Sequence, residues 1–454
     1  MLKFGTDGVR GVANAELTPE LALALGRAAV RVLGGDRFAV GRDTRRSGPL
    51  LEAALAAGLA AEGADVTLLG VVPTPEVAWW SVAEAAPAAM VSASHNPFGD
   101  NGIKMFSAGG RKLSDAVEQQ LELELQRILG AVVSSGDAAA RDDRPVPTGA
   151  DVGRVVPAAG AHDGYAAAVV ASIEGRRLDG LSAVVDCANG SAFAVAPRVL
   201  RELGVAVEVL HAAPDGTNIN DGCGSTHPED LACTVVARGA DLGVAFDGDA
   251  DRVLLVDAAG ELVDGDQIIA LCAIDRHERG TLADDSVVVT VMTNLGFRLA
   301  MEDRGIQVVE TKVGDRYVLE ALEAGALSLG GEQSGHVIFP ELATTGDGLL
   351  TAVQALDVVA RAGRPLAELA AGAMTRLPQV LRNVRVAERD PAIVDRLAAD
   401  VAAVEKRLGP RGRVLVRTSG TEPLVRVMAE APTAAEAEAA VDELVRAVEA
   451  LGAG

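Results

Sequence analysis

Short apolar runs alternating with alanine-rich, helix-patterned segments constrain this fold more than any other feature. Phe38-Ala39-Val40-Gly41, Val66-Thr67-Leu68-Leu69 and Ala88-Ala89-Met90-Val91 are bounded by turn residues and read as buried strands. Thr18-Pro19-Glu20 supplies a cap residue, a first-turn proline and an early acid, so a helix is expected over 21–33. A second helix reaches about Ala61, and a third follows the Pro73-Thr74-Pro75 turn. Such β-α-β-α alternation calls for a mainly parallel sheet sandwiched by helices. Ligands in such sheets sit beyond the carboxyl ends of the strands.

The alternation recurs. Residues 130–157 lack apolar periodicity and read as a surface connection that separates two domains. A second α/β unit follows, with a helix over 165–173, strands over 183–186 and 205–210, and a strand over 242–246 after a long polar loop. A third unit is expected from a strand over 253–256, a helix over 265–274, a strand over 287–291, a helix capped by Asn294 and a strand over 307–309. The tail differs. Strands over 380–386, 414–416 and 424–428, a helix over 391–408 capped by Asp390, and a capping box at Thr433-Ala434-Ala435-Glu436 read as α+β. The expected domains are 1–155, 156–256, 257–370 and 371–454, which a chain of 454 residues with 49% hydrophobic content can furnish with separate cores.

Composition narrows the partners. A formal charge of −23, from 41 basic and 64 acidic residues, disfavours nucleic acid and anionic membranes. Cys187, Cys223, Cys233 and Cys272 show no zinc-type spacing and no disulfide framework, so they are expected as reduced core or loop thiols. No signal peptide or membrane-spanning run is apparent, and a cytoplasmic protein is expected.

Four stretches carry the chemistry. The strand 88–91 ends in Ser92-Ala93-Ser94-His95-Asn96-Pro97, where Ser94 offers a nucleophilic oxygen beside an imidazole. Asp100-Asn101-Gly102 is expected to turn the chain so that Lys104 returns a cation to the same place. Asp247-Gly248-Asp249-Ala250-Asp251-Arg252 follows a buried strand. Its three carboxylates can converge on a hard divalent cation, and acids crowded there repel one another without one. It is not an EF-hand, because Arg252 and Ala258 stand where that loop needs glycine and glutamate. Magnesium suits a site with few carboxylates, completed by water and phosphate oxygens. Gly331-Glu332-Gln333-Ser334-Gly335-His336 offers the mixed donors and acceptors that sugar hydroxyls require. Arg417-Thr418-Ser419-Gly420-Thr421, with Arg426 beyond it, makes an anion nest suited to phosphate. Near the start, Arg10 lies between glycines and is a further candidate anion contact.

In order and across nearly the whole chain, these four stretches resemble the four motifs of the α-D-phosphohexomutase superfamily. The Gln333 form of the sugar loop, Cys223-Gly224-Ser225-Thr226 and Ser419-Gly420-Thr421-Glu422-Pro423 are similar to the branch acting on glucosamine phosphates, rather than those acting on mannose or glucose phosphates. The resemblance implies three Rossmann-like α/β domains with mainly parallel mixed sheets and a smaller C-terminal α+β domain around a central cleft. It implies a phosphoserine at Ser94, with one Mg2+ held by Ser94, Asp247, Asp249 and Asp251. Phosphate would pass between Ser94 and the two ends of glucosamine phosphate through a 1,6-bisphosphate, toward cell-wall precursors. Arg10, Lys104 and Arg252 would neutralise charge, and His95, Lys104 or His336 would move the proton. Gly314, Asp315, Glu332 and Ser334 would contact the sugar, while Arg417, Ser419, Gly420, Thr421 and Arg426 would hold the other phosphate. The expected partner is a small phosphosugar, with glucosamine or glucose 1,6-bisphosphate as activator, a second copy of the chain as a homodimer partner and a kinase for Ser94 as further candidates. Two other classes compete: a metal-dependent phosphomonoesterase and a catalytically silent sugar-phosphate-binding protein.

Overall fold

The computed structural model describes residues 8–133, 145–387, 390, 392–418 and 423–452. Met1–Val291 and Val309–Ala370 form one compact unit; Met292–Val308 and Ala371–Gly454 form another.

The first unit contains the first two α/β sheets and most of the third, whose edge strand Gln307–Thr311 begins in the second unit. In the first sheet the strands run Val9–Val12, Asp100–Ser107, Ala88–Val91, Arg37–Arg42, Asp65–Val71 and Val155–Pro157. The central strands are parallel, and Asp100–Ser107 is antiparallel to both neighbours. Thr18 caps the helix Pro19–Leu33 by accepting from Leu21 N–H. That helix and Gly48–Ala61 bury Leu21, Leu25, Leu51, Leu55 and Leu59 with Phe38, Val40 and Val66 of the sheet. The stretch read as a plain connection is more structured than expected: the helix Asp115–Val133 enters it, and Val155–Pro157 adds a parallel strand to Asp65–Val71.

The second sheet runs Leu262–Val263, Val253–Asp257, Leu242–Phe246, Ser182–Asp186 and Ala206–Leu210. Val253–Asp257 pairs antiparallel with Leu242–Phe246, so this strand extends the second sheet instead of opening the third. The third sheet runs Gln307–Thr311, Ser286–Thr290, Gly330–Gly331 and Val337–Ile338.

The second unit is built on the antiparallel sheet Gln379–Arg385, Leu424–Glu430, Arg413–Thr418. Its core packs Val414, Val425 and Val427 against Leu397, Val404 and Leu444. The helix Leu295–Glu302 belongs to this unit: Leu295 N–H donates to Glu430 at 2.8 Å, and Asn294 exchanges hydrogen bonds with the backbone of Leu377. The long helix expected over 391–408 is two pieces, Ile393–Arg396 and Ala398–Leu408. Pro391 lies outside the described residues. The capping box at Thr433 and Glu436 forms and opens the helix Ala434–Gly452.

Candidate active site

Ser94 follows the carboxyl end of the strand Ala88–Val91 in a left-handed conformation, φ 52°, which a non-glycine residue keeps only when its surroundings hold it there. The restraint is visible. Arg45 is fully buried, and its guanidinium donates to the carbonyls of Ser94 (2.9 Å), Asn96 (2.7 Å), Asp100 (3.1 Å) and Pro97. Asp43 pairs with Arg45 at 2.9 Å and accepts from Ser92, whose hydroxyl accepts in turn from Ser94 N–H. Asn220, from the long polar loop, donates to the same Ser94 carbonyl at 2.9 Å. Arg45 and Asn220 were not singled out from the sequence. The only signals were a buriable Arg-Asp-Thr-Arg cluster at a strand end and the length of the loop around Asn220.

The chain reverses earlier than expected. Asp100 N–H donates to Pro97 O at 3.1 Å, so the turn precedes Asp100, and Asp100-Asn101-Gly102 already lies in the returning strand opposite Val12, Gly11 and Arg10. The expected consequence still holds, because that antiparallel strand carries Lys104 back to the acids.

Asp247, Asp249 and Asp251 are buried, with ligand-capable atoms all within 4.8 Å of one another. Ser94 Oγ donates to Asp247 Oδ2 at 2.5 Å. Gly248 permits this approach: a Cβ there would lie 2.6 Å from Ser94 O and 2.8 Å from Asn220 Nδ2. Lys104 Nζ lies 2.7 Å from Asp249 Oδ2 and 3.2 Å from Asp251 Oδ2, and Thr74 also donates to Asp249. Burial, then the charges of Asp251 and Asp249, push Asp247 well above the usual carboxylate range. Burial would raise Asp251 too, but Lys104, His336 and Arg252 outweigh it and hold that carboxyl well below its ordinary value. Asp249 Oδ1 and Asp251 Oδ1 are buried and accept no hydrogen bond among the described residues. Orphaned carboxylate oxygens of this kind, beside a carboxylate that cannot comfortably ionise, fit a hard divalent cation such as magnesium.

The flanking residues fall into place around this centre. His95 Nδ1 lies 3.4 Å from Ser94 Oγ and 3.4 Å from an Arg252 nitrogen. Burial, with Arg252 and Arg10 nearby, lowers its pKa and favours the neutral ring. Arg252 N–H donates to Asp247 Oδ1 at 3.2 Å. Arg10 lies on the strand Val9–Val12 opposite Gly102. His336 is buried behind the acids, with Nδ1 3.8 Å from Asp251 and Nε2 3.4 Å from Asp315, and Gly346 N–H donates to Nε2 at 3.1 Å. Asp315 also pairs with Lys112. Gly314 N–H donates to Glu332 at 3.0 Å, tying the two expected sugar segments together, and the buried Ser334 Oγ has no hydrogen-bond partner among the described residues.

In the second unit, Arg417 and Arg426 stand directly opposite each other on adjacent strands. Burial, then Arg426, lowers the pKa of Arg417, and Arg426 Nε is buried without a hydrogen-bond partner among the described residues. Facing guanidiniums repel unless an anion lies between them. Ser419, Gly420 and Thr421 lie outside the described residues.

Comparison with known proteins places this geometry. Models described as "Phosphoglucomutase/phosphomannomutase" match four times: alpha/beta/alpha domain I at residues 1–129, domain II at 163–260, domain III at 264–377 and the C-terminal domain at 381–447. A phosphoglucosamine mutase from Frankia alni is 56% identical, over 98% of this chain and 98% of its own. A crystal structure of a phosphoglucomutase/phosphomannomutase family protein from Burkholderia thailandensis superposes with a TM-score of 0.80 at 29% identity, covering 98% of this chain and 97% of that one. The fold is shared with an N-acetylphosphoglucosamine mutase of Aspergillus fumigatus solved with GlcNAc-6P and magnesium, at a TM-score of 0.65 and 19% identity, covering 100% of this chain and 96% of that one. With matched domains spanning most of its length, this chain belongs to the phosphoglucomutase/phosphomannomutase family.

Proposed function

We propose that this chain interconverts glucosamine 6-phosphate and glucosamine 1-phosphate through a phosphoserine at Ser94 and a glucosamine 1,6-bisphosphate intermediate, in the cytoplasm. The observation that carries the reading is the 2.5 Å contact of Ser94 Oγ with Asp247 inside a buried acidic trio that retains orphaned oxygens. The amino sugar is favoured by relatives such as the Frankia alni protein, named a phosphoglucosamine mutase.

The roles follow from the contacts. Arg45 and Asn220 fix the Ser94 loop, so the phosphorylated oxygen is held in place before substrate arrives. Asp247, Asp249, Asp251 and the Ser94 phosphate would hold magnesium, which when bound neutralises charge on the transferred phosphoryl group. Arg10 and Arg252 add positive charge beside His95, and Lys104 balances Asp249 and Asp251. In the forward step the bond between Ser94 Oγ and phosphorus breaks, the sugar oxygen bonds to phosphorus, and the hydroxyl's proton is taken up at His95 Nδ1 and passed to Ser94 Oγ. Among the three candidates, His95 is the one placed against that oxygen in a neutral, proton-accepting form. With Nε2 accepting from Gly346 N–H, His336 turns Nδ1 toward Asp251. Glu332, Ser334 and the Gly314-Asp315 turn contact the sugar, and the segment from Arg417 to Arg426, including Ser419, Gly420 and Thr421, binds the phosphate that is not being transferred. A bisphosphorylated hexose or a kinase supplies the first phosphate on Ser94.

The test follows labelled phosphate from glucose 1,6-bisphosphate onto the protein and compares turnover of glucosamine, glucose and mannose 6-phosphates on one sample. Label on the Ser94 peptide with preferential turnover of the amino sugar is expected. Label absent from Ser94 would remove the mechanism, and inorganic phosphate released faster than isomer forms would select a phosphomonoesterase.

A further inference from the structure

Away from the serine and its acids, the carboxyl ends of Ser182–Asp186 and Ala206–Leu210 bring together a second set of ligand-type side chains. Asp186, His211 and Cys223 place one carboxylate oxygen, one ring nitrogen and one sulfur within 4.8 Å of each other. Asp186 and Cys223 are fully buried. His211 keeps a partly exposed ring edge, which leaves the cluster a way in from solvent.

The histidine's surroundings point to a cation. Its Nε2 lies 3.2 Å from Asp230 Oδ2, within reach of that carboxylate for an N–H carried on the outer nitrogen. With the N–H on Nε2, the Nδ1 lone pair turns inward, 3.0 Å from Asp186 Oδ2. Among the described residues the buried Nδ1 makes no aligned hydrogen bond, although it lies at contact distance from that carboxylate. A carboxylate steering the outer nitrogen while the inner one faces a carboxylate and a thiol is the arrangement of a metal-ligating histidine.

We propose that Asp186, His211 and Cys223 form a second metal site, selective for Zn2+ or a similar borderline-soft divalent ion, with Asp230 orienting His211. One sulfur, one nitrogen and one oxygen suit zinc, whereas an all-oxygen set suits magnesium. Binding at Cys223 releases the thiol proton to solvent. The ligands are far apart in sequence, so no Cys/His spacing announces them. The site also bears on the serine. Asp186 accepts from Gly224 N–H and Ala188 N–H, Ala188 O accepts from Asn220 N–H, and Asn220 holds the Ser94 carbonyl. A bound ion would cross-link the loop that keeps Ser94 in place.

The test uses full-length, chelator-stripped protein kept in excess Mg2+ and titrated with Co2+ as a spectroscopic stand-in for zinc. A thiolate-to-cobalt absorption band is expected, because the carboxylate trio has no sulfur to give one. Zn2+ should bleach it and raise the thermal midpoint in a concentration-dependent way. The band should vanish in Cys223→Ser and in His211→Asn, and persist in Cys233→Ser, which removes the exposed thiol. Absence of the band in the unmodified protein, or its survival in a folded Cys223→Ser or His211→Asn variant, overturns the proposal.

Discussion

Ser94 Oγ sits 2.5 Å from Asp247 Oδ2, on a carboxylate that burial and its neighbours push well above the usual range. Without a cation the three acids are in conflict, and a divalent ion bound among them would relieve it. Asp249→Asn should therefore raise the thermal midpoint of the ion-free protein while weakening its response to Mg2+. The half-saturating Mg2+ concentration for turnover should rise on the order of 10-fold or more. Thermal melts at graded Mg2+ check both signs; a variant stabilised by Mg2+ as much as the parent would show that the trio is not the magnesium site.

Arg45 is the strongest restraint on the serine loop, and its fork spans several carbonyls that an ammonium cannot reach together. Arg45→Lys should lower kcat about 10- to 100-fold with little change in KM, because the loop relaxes while the substrate contacts remain. Arg45→Met should instead destabilise the fold by about 3–5 kcal/mol, since it strands Asp43 as an unpaired buried charge. Steady-state kinetics of the first variant and denaturation of the second separate positioning from stability.

These two cases also show what the sequence could and could not disclose. Ser94, the acids and the strands that carry them were legible because each signal is local: an apolar run, a sharp change to polar residues, alternating carboxylates. Arg45 and Asn220 act on a loop 49 and 126 residues away, and no local pattern encodes such a partnership. Val155–Pro157 escaped notice because both its valines are nearly half exposed, leaving no alternation to read. Val253–Asp257 was legible as a strand but not as a member of the second sheet, since pairing is decided by the long-range register with Leu242–Phe246. The sequence offered His95, Lys104 or His336 as the proton carrier without a local signal to choose among them, and the burial of His336 among Asp251, Asp315 and Gly346 is again set by residues distant in the chain.

The facing pair Arg417 and Arg426 makes a prediction with opposite signs for stability and function. Arg417→Ala removes a like-charge contact and should stabilise the anion-free unit by about 0.2–1 kcal/mol. The same change should raise KM for the phosphosugar about 10-fold or more, through loss of a charge-assisted bond to phosphate. Inorganic phosphate should stabilise the parent more than the variant. Differential scanning calorimetry with and without phosphate, beside KM, provides the check.

Asp347 supplies a pH dependence separate from catalysis. It is buried at the start of the helix Gly348–Ala362, where its side chain accepts from Leu350 N–H and from the Tyr165 hydroxyl, each at 2.9 Å. Burial raises its pKa from 3.8 to about 6, against the pull of those hydrogen bonds. A carboxyl whose folded pKa lies above its unfolded one binds its proton more tightly in the native state, so its contribution is most favourable below about pH 4 and is lost as pH rises toward 6. The loss is on the order of 3 kcal/mol at neutral pH. Asparagine keeps the acceptor for Leu350 and Tyr165 without the charge. The stability of Asp347→Asn relative to the parent should therefore rise between pH 4 and pH 7 and level off above it. Paired thermal melts across that range decide the matter: a constant difference would mean that Asp347 is already ionised at pH 4, and a rise that never levels off would mean that it stays protonated in the folded protein.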